Sequence, residues 1–291
     1  MAADLTRPVV TISPNNPVFD LPIYVARDEG LFDKAGIEVR FQAKYSQRNA
    51  SDLDAFKRLK ESLFEEGKAD VFNLCEWAGI DRSQRSSRGA QVLALRPAVA
   101  AQAILSFDEA IWEPRDLAGV PVGINDRTGS HYTTLQSLEG VLPRAEILVE
   151  HVGIPERRYE ALKAGTSRAV AVMEPFISLG LKEGAHLVDV TFYRGAEIVA
   201  PSLSSGQREA YLGAINVAAD LLSANFGKYK HYVTEQTKGR LAPQELSDHY
   251  VHYTHYVEYE PKRFDQVYEW MKSWGLAAKD SADHATLVAS L

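Results

Sequence analysis

The stretch from 123 to 138, GINDRTGSHYTTLQSL, places small, hydroxyl-bearing and imidazole side chains where an apolar run meets a helical pattern. A Walker-type phosphate loop requires Gly-Lys-Ser/Thr at the helix start, and this stretch contains no lysine. Ser130 and His131 are adjacent, and adjacent side chains on a helix do not face each other, which disfavours a catalytic pair. What remains is a helix start with free N–H groups, where Thr128, Gly129 and Ser130 would meet an anion. The alternative is that Thr128 or Ser130 only caps the helix.

Three consecutive residues with chemical potential, Cys75, Glu76 and Trp77, follow another apolar run. Cys75 is a candidate nucleophile if its surroundings are positive, and otherwise a small core residue. Glu76 is a candidate general base or amine ligand, and Trp77 could stack on a planar ligand; packing explains both equally well. Together with His131, Cys75 and Glu76 are the candidate catalytic residues.

Two arginines, Arg96 and Arg194, are candidates for holding the anionic group of a ligand. A guanidinium binds a carboxylate or sulfonate through two parallel hydrogen bonds, which is its strongest geometry. A solvated or bridging role is the alternative for each. We expect loss of Arg96 or His131 to abolish ligand binding and to leave the fold intact. The run DRSQRSSR, 81–88, is expected to be an exposed loop.

Short β-rich runs alternate with longer helical patterns along most of the chain. This alternation predicts parallel sheets covered by helices, the α/β class. From about 207 the pattern becomes helical. The predicted strands span 7–12, 37–42, 69–74, 91–98, 101–106, 120–124, 145–152, 168–173 and 186–190, and the predicted helices span 22–36, 51–69, 131–142, 155–165 and 175–184.

The segment SDHYVHYTHYVEYEP, 247–261, is rich in histidine and tyrosine. His249, His252 and His255 recur every third residue, and tyrosines share the same spacing. Zinc sites normally need a further ligand and an open position. We therefore predict an amphipathic helix packed through tyrosine rings, and no metal site.

Ligands of open α/β sheets bind beyond the carboxyl ends of the strands. The residues directly after each predicted strand are therefore the ones that could touch a ligand. This rule adds Asn15, Asn16, Tyr45 and Glu174 to the candidate ligand-binding residues.

The composition of the 291 residues excludes several classes of protein. The formal net charge is −7, with no Lys/Arg-rich run, which argues against a nucleic-acid partner. One cysteine permits neither a disulfide framework nor a multi-cysteine metal site. The sequence contains no run of about 18 apolar residues, the length that could span a membrane. The start, MAADLTRPVVTI, lacks a signal-peptide pattern, so we expect a cytoplasmic location. A mature secreted chain given a new Met would look the same.

Residues 21–41, LPIYVARDEGLFDKAGIEVRF, resemble the opening of the solute-binding proteins of sulfonate, nitrate and thiamine-precursor importers. Four further segments follow in the family's order: GKADVFNL (67–74), DLAGVPVGI with GSHY (116–132), LKAGTSRAVAVMEP (162–175) and FDQVYEWMKSWGL (264–276). The resemblance implies a type 2 periplasmic-binding-protein fold, in which two crossover strands, near 97–104 and 190–200, join two α/β lobes around a ligand cleft. The implied lobes are 1–98 with 197–291, and 99–196.

The same family includes cytoplasmic enzymes. Aromatic sulfinate desulfinases share the fold and use a cysteine in the loop after the first strand. Here that loop, SPNNP at 13–17, contains no cysteine, so this nucleophile is not carried over.

The sequence leaves two functions open. In both, the protein binds a small organic molecule, anionic or planar and aromatic, in the cleft and without a cofactor. The first is a cytoplasmic enzyme with a lyase or hydrolase step, which the missing export signal favours. The second is the substrate-binding protein of an ABC importer, with a permease as its partner. We expect a monomer or a homodimer.

Overall fold

One mixed sheet runs through residues 7–45 and 49–290, the part of the chain that the computed structural model describes. Its order is β2-β1-β3-β8-β4-β7-β5-β6, and β9 pairs with β4. The flanking strands pair in parallel, β1 with β2 and β3, and β5 with β6 and β7. The strands are β1 (Val9–Ile12), β2 (Glu38–Phe41), β3 (Val71–Cys75), β4 (Gln91–Ser106), β5 (Val122–Ile124), β6 (Val149–His151), β7 (Ala169–Val172), β8 (His186–Val199) and β9 (Val251–Tyr253). The predicted α/β class is confirmed.

Two long antiparallel strands, β4 and β8, connect the two ends of the sheet. The last residues of β8 pair with β3, and the last residues of β4 pair with β7. The predicted strands 91–98 and 101–106 are therefore one continuous strand of 16 residues. Both implied crossovers lie within these strands. The division into lobes at 98/99 and 196/197 also falls inside β4 and β8, and stays a prediction.

Helices cover the sheet, and none among the described residues is long and apolar enough to cross a membrane. The first begins earlier than predicted, because Asn16 caps it by accepting from the Val18 N–H at 3.0 Å and Pro17 occupies its first turn. It ends before Gly30, which has φ +64°. The helices are α1 (Pro17–Asp28), α2 (Leu31–Lys34), α3 (Leu59–Glu65), α4 (Glu76–Arg85), α5 (Gly129–Glu139), α6 (Pro155–Lys163), α7 (Phe176–Lys182), α8 (Ser205–Ala224), α9 (Lys230–Thr234), α10 (Pro261–Ser273) and α11 (His284–Leu287).

The predicted helix 51–69 begins only at Leu59. Upstream, the side chain of Asp54 accepts from the Phe56 N–H at 3.1 Å, and the Arg58 Nε donates to the Asp52 carbonyl at 2.8 Å. Such local side-chain bonds compete with helical hydrogen bonding. The prediction was wrong for the first half of this segment, and the result turns Arg58 away from the helix surface.

The expected exposed loop at 81–88 is also wrong, because α4 extends to Arg85. Asp81 and Arg82 are fully buried and pair with each other, and Arg82 also lies 3.6 Å from Glu61. Opposite charges that neutralise each other can be buried together, which a reading of polarity alone does not anticipate.

The expected helix at 247–261 is replaced by turns around strand β9. Val251 and Tyr253 are buried and His252 is exposed, the alternation typical of a strand. The Tyr253 hydroxyl donates to the Val18 carbonyl at 2.9 Å. The spacing of three between tyrosines was therefore misleading, because strand pairing with β4 satisfies the backbone here.

Candidate functional site

A cavity of about 130 Å³ lies where the carboxyl ends of β1, β3, β5 and β7 meet the helices that follow them. This is where ligands of α/β sheets are expected. An engineered cavity of about 150 Å³ holds benzene, so a compact molecule fits. The lining residues are Pro14, Asn15, Asn16, Phe19, Tyr45, Ala50, Arg58, Leu59, Lys60, Leu74, Cys75, Ala78, Gln102, Asn125, Thr128, Gly129, Ser130, Ile154, Pro155, Arg158 and Met173.

Four helices begin at the cavity wall. The residues that cap their N-termini all line it: Asn16 for α1, Cys75 for α4, Thr128 for α5 and Ile154 for α6. The first N–H groups of a helix have no partner within the helix, and the helix dipole places partial positive charge there. The backbone alone therefore makes this cavity favourable for an anion.

Three cationic side chains, Arg58, Lys60 and Arg158, also line the cavity, and none of its described lining residues is Asp or Glu. Arg158 is 2% exposed. Its Nε donates to the Ala171 carbonyl at 2.6 Å and its Nη1 donates to the Gly153 carbonyl. Burial lowers the pKa of Arg158 to about 9. No carboxylate of the described residues forms an ion pair with it, so its buried charge is compensated by backbone carbonyls and not by an opposite charge.

Arg58 and Lys60 face the cavity from the segment that precedes β3. The Lys60 Nζ donates to the Asn73 carbonyl at 3.1 Å and to Asn15 Oδ1 at 3.3 Å. The Arg58 Nη2 donates to the Asp126 carbonyl at 2.9 Å, which ties this segment to the loop after β5. Burial lowers the pKa of both cations. Neither forms an ion pair with a carboxylate in the part of the chain that is described.

Seven of the predicted site residues line the cavity. Two of them have a shifted pKa that fixes their protonation: burial raises the pKa of Tyr45 to about 12 and that of the Cys75 thiol to about 11. Both are therefore neutral at physiological pH, and Cys75 is a thiol rather than a thiolate. The seven are Asn15, Asn16, Tyr45, Cys75, Thr128, Gly129 and Ser130.

The hydroxyl groups of the turn before α5 form hydrogen bonds that stabilise this turn. Ser130 Oγ accepts from the Asn125 N–H at 3.0 Å, and Thr128 Oγ1 donates to the Asn125 carbonyl at 2.8 Å. Gly129 is required for packing: a Cβ there would lie 2.5 Å from the Tyr193 hydroxyl oxygen. Gly129 therefore contacts a tyrosine ring and also lines the cavity.

Arg96 does not line the cavity, so the expectation that it grips the ligand is corrected. It is fully buried, its Nη1 lies 2.5 Å from Glu197 Oε2, and it donates to the Phe19 carbonyl. Burial acts to lower the pKa of Arg96, and the Glu197 carboxylate more than offsets this, so the pKa is raised. Arg96 already has its anion within the protein.

Glu76 and Trp77 also lie outside the cavity lining. The Glu76 carboxylate accepts two hydrogen bonds from Arg263, at 2.7 and 2.6 Å. This candidate general base is therefore engaged in an ion pair. Trp77 stacks on Tyr132 with ring centroids 5.7 Å apart and contacts the rings of Tyr193 and Trp270. For both residues the packing alternative describes their position.

His131, Glu174 and Arg194 are likewise absent from the lining. The His131 Nδ1 accepts from the Arg127 N–H at 3.1 Å and lies 3.2 Å from Asp126 Oδ1. Glu174 accepts from the Ser178 hydroxyl and N–H, and burial raises its pKa to about 7. Arg194 donates to the carbonyl of Arg96 and to the side chain of Thr254. These side chains hold loops and strands together.

Sequence reasoning missed the side chains that give the cavity its charge and polarity. Arg58 and Lys60 fell in the middle of a predicted helix, and Arg158 on one predicted at 155–165. The strand-end rule, applied after the strand at 149–151, would have pointed to the start of α6, one turn from Arg158. Gln102, in the centre of a strand, carried no signal.

Solved structures share this fold. The chain is similar to the periplasmic aliphatic sulphonate binding protein SsuA from Escherichia coli, with a TM-score of 0.75, 15% identity and 97% of each chain covered. It is similar to the periplasmic nitrate-binding protein NrtA from Synechocystis PCC 6803, with a TM-score of 0.68 and 12% identity over 98% of this chain and 85% of that one. The desulfurization enzyme DSZB gives a TM-score of 0.65 and 14% identity over 98% and 97%.

The sequence itself is distant from characterised proteins: no family model matches it, and no curated protein matches it. The structural similarity covers nearly the whole chain and includes both sulfonate- and nitrate-binding proteins and an enzyme. The resemblance inferred from the sequence segments is confirmed at the level of fold, and the chain has the fold of the periplasmic binding proteins.

Proposed function

We propose that this protein binds a small organic anion in the cavity and acts as the substrate-binding component of an importer. The observation that carries the proposal is the charge of the wall: three cations, four helix N-termini, and no Asp or Glu among the described lining residues. Apolar side chains such as Phe19, Leu74 and Met173 complete the wall, so an anionic group joined to a compact apolar body suits it.

Desolvation of Arg158 favours the binding of an anion beside it. Removing a charge from water costs several kcal/mol unless an opposite charge and hydrogen bonds compensate. Arg158 receives such compensation from two backbone carbonyls only. An anion bound between Arg158 and Lys60 would supply the missing charge and strong charge-assisted hydrogen bonds.

A receptor role agrees better with the placement of the candidate catalytic residues than an enzymatic one. Glu76 is held by Arg263, and neither Glu76 nor His131 is among the described residues that line the cavity with Cys75. The sulphonate- and nitrate-binding proteins with this fold support the same choice of ligand chemistry.

The second candidate is a cytoplasmic enzyme of the lyase or hydrolase type acting on the same kind of anion. It is favoured by Cys75, whose side chain belongs to the cavity wall. Incubating the protein with each binding anion and following the anion by NMR separates the two candidates. Conversion by the parent protein that Cys75→Ser abolishes would establish the enzyme.

The test of anion binding is a thermal-shift screen of alkanesulfonates, carboxylates and nitrate beside uncharged molecules of equal size, followed by isothermal titration calorimetry. A bound ligand stabilises the native state by mass action. Lys60→Met is expected to weaken the binding of the best anion about tenfold or more. Lys68→Met, which removes an exposed lysine paired with Glu66, is the matched control and should change nothing. Stabilisation by uncharged molecules alone, or equal affinity in both variants, would refute the proposal.

A further inference from the structure

Among the described residues, two buried polar atoms of the cavity wall have no hydrogen-bond partner: Gln102 Nε2 and Asn125 Oδ1. The two residues are 4% and 6% exposed. Nearly all buried polar groups in native proteins are satisfied, so each such exception calls for a ligand, a water or another explanation. Both residues line the same cavity as the three cations.

The two atoms require opposite kinds of hydrogen-bond partner. Gln102 Nε2 is a donor. An anion would accept a hydrogen bond from it, as it would from Arg158 or Lys60. Asn125 Oδ1 is an acceptor, which no fully ionised oxyanion group can satisfy. The amide orientation of Asn125 is determined by its other atom, because Nδ2 donates to the Ala50 carbonyl at 3.1 Å.

Asn125 is also held firmly in place. Its N–H donates to Ser130 Oγ at 3.0 Å and its carbonyl accepts from Thr128 Oγ1 at 2.8 Å. These bonds hold the backbone of Asn125, and the bond from Nδ2 to the Ala50 carbonyl holds its amide. Asn125 lies in the turn before α5, next to the Asp126 carbonyl that receives the Arg58 guanidinium.

We propose that the cavity selects a small organic anion that also carries a hydrogen-bond donor, a hydroxyl or an amino group, and that Asn125 Oδ1 accepts from it. The anionic group binds Lys60, Arg158 and Gln102 Nε2, and the donor satisfies Asn125. This inference rests on the proposed anion-binding function and names the substrate class. Sites built to hydrogen-bond a hydroxyl reject analogues that lack it, because the buried polar group is then left unpaired.

The experiment is calorimetric titration with two matched pairs: 2-hydroxyethanesulfonate beside ethanesulfonate, and lactate beside propionate. In each pair the charge is the same and only the donor differs. We expect the hydroxylated member of at least one pair to bind about 5- to 100-fold more tightly to the parent protein. In Asn125→Leu this ratio should fall to about one.

Gln102→Leu is the matched control, since it removes an unpaired amide that would contact the anionic group. It should weaken both members of a pair equally and keep their ratio. Circular dichroism and the melting temperature establish that each variant is folded. Equal binding of the two members by the parent protein overturns the inference and leaves the anion-binding function standing, because a water then satisfies Asn125. Binding of neither pair, together with no binding of any other anion of the screen, overturns both.

Discussion

Arg96 and Arg158 are both almost inaccessible to solvent, yet the structure treats their charges in opposite ways. Arg96 pairs with Glu197, a carboxylate that also accepts from the hydroxyls of Tyr211 and Tyr256. Arg158 meets backbone carbonyls only, and its pKa is lowered where that of Arg96 is raised. One arginine is neutralised within the fold, and the other stays available for an anion from outside.

The partner of a buried cation indicates the role of that cation. A buried cation with its own carboxylate contributes to the structure, whereas one without a carboxylate beside a cavity indicates a ligand. The residue type and the presence of a strand nearby do not distinguish the two cases. The partner does, and the partner of Arg96 lies 101 positions away in the chain.

The largest expected effect is on the stability of an Arg96→Met variant. Removing the guanidinium leaves Glu197 buried and unpaired, which typically costs about 3–5 kcal/mol of unfolding free energy. Denaturation in urea measures it. The double variant Arg96→Met/Glu197→Gln should regain much of the loss, because the glutamine can still accept from the two tyrosines. If the single variant unfolds at the same urea concentration as the parent protein, the pair does not stabilise the fold.

Arg158→Met should show the reverse pattern. We expect anion affinity to fall about 10- to 150-fold, the loss of a hydrogen bond to a charged group, worth about 1.5–3 kcal/mol. The unfolding free energy should fall by less than in Arg96→Met, since no buried carboxylate is left unpaired. Calorimetric titration and urea denaturation on the same samples measure both quantities. A variant that unfolds easily and still binds the anion would reverse the comparison.

The architecture could be predicted from the sequence because it depends on local patterns. Alternating strands and helices located most of the elements, and the strand-end rule found the helix starts at Asn16, Cys75 and Thr128. The cavity cations could not be predicted in this way. Arg58 faces inward because Asp54 and Asp52 hold the preceding turn, and no carboxylate among the described residues forms an ion pair with Arg158. The first depends on local hydrogen bonds that compete with a helix, and the second depends on which side chains the fold brings close to Arg158.

Anion binding is expected to depend on pH through the cations of the cavity. The pKa of Arg158 is about 9 and that of Lys60 is also lowered, and the anion binds their protonated forms. Affinity for a sulfonate, which stays ionised throughout, should therefore fall as the pH rises through these lowered pKa values, by up to tenfold per pH unit for each group. Titrations from pH 7 to 10 measure it. In Arg158→Met the fall should be shallower. Affinity that stays constant to pH 10 would mean that neither group loses its proton.

The smallest effect is expected for Arg194→Gln. Arg194 is half-buried and contacts the Arg96 carbonyl and Thr254, outside the cavity lining. Anion affinity should stay within about twofold of the parent value, and stability should change by about 1 kcal/mol or less. The same two measurements apply. A tenfold loss of affinity would place the ligand near β8 and not in the cavity.

The most direct test of the central claim is a crystal structure of the protein with the tightest-binding anion of the screen. We expect the anionic group to lie within hydrogen-bond distance of Arg158 and Lys60, while the Arg96–Glu197 pair is unchanged. An anion bound at Arg96 or Arg194, and not between Arg158 and Lys60, would show that the cavity is not the binding site.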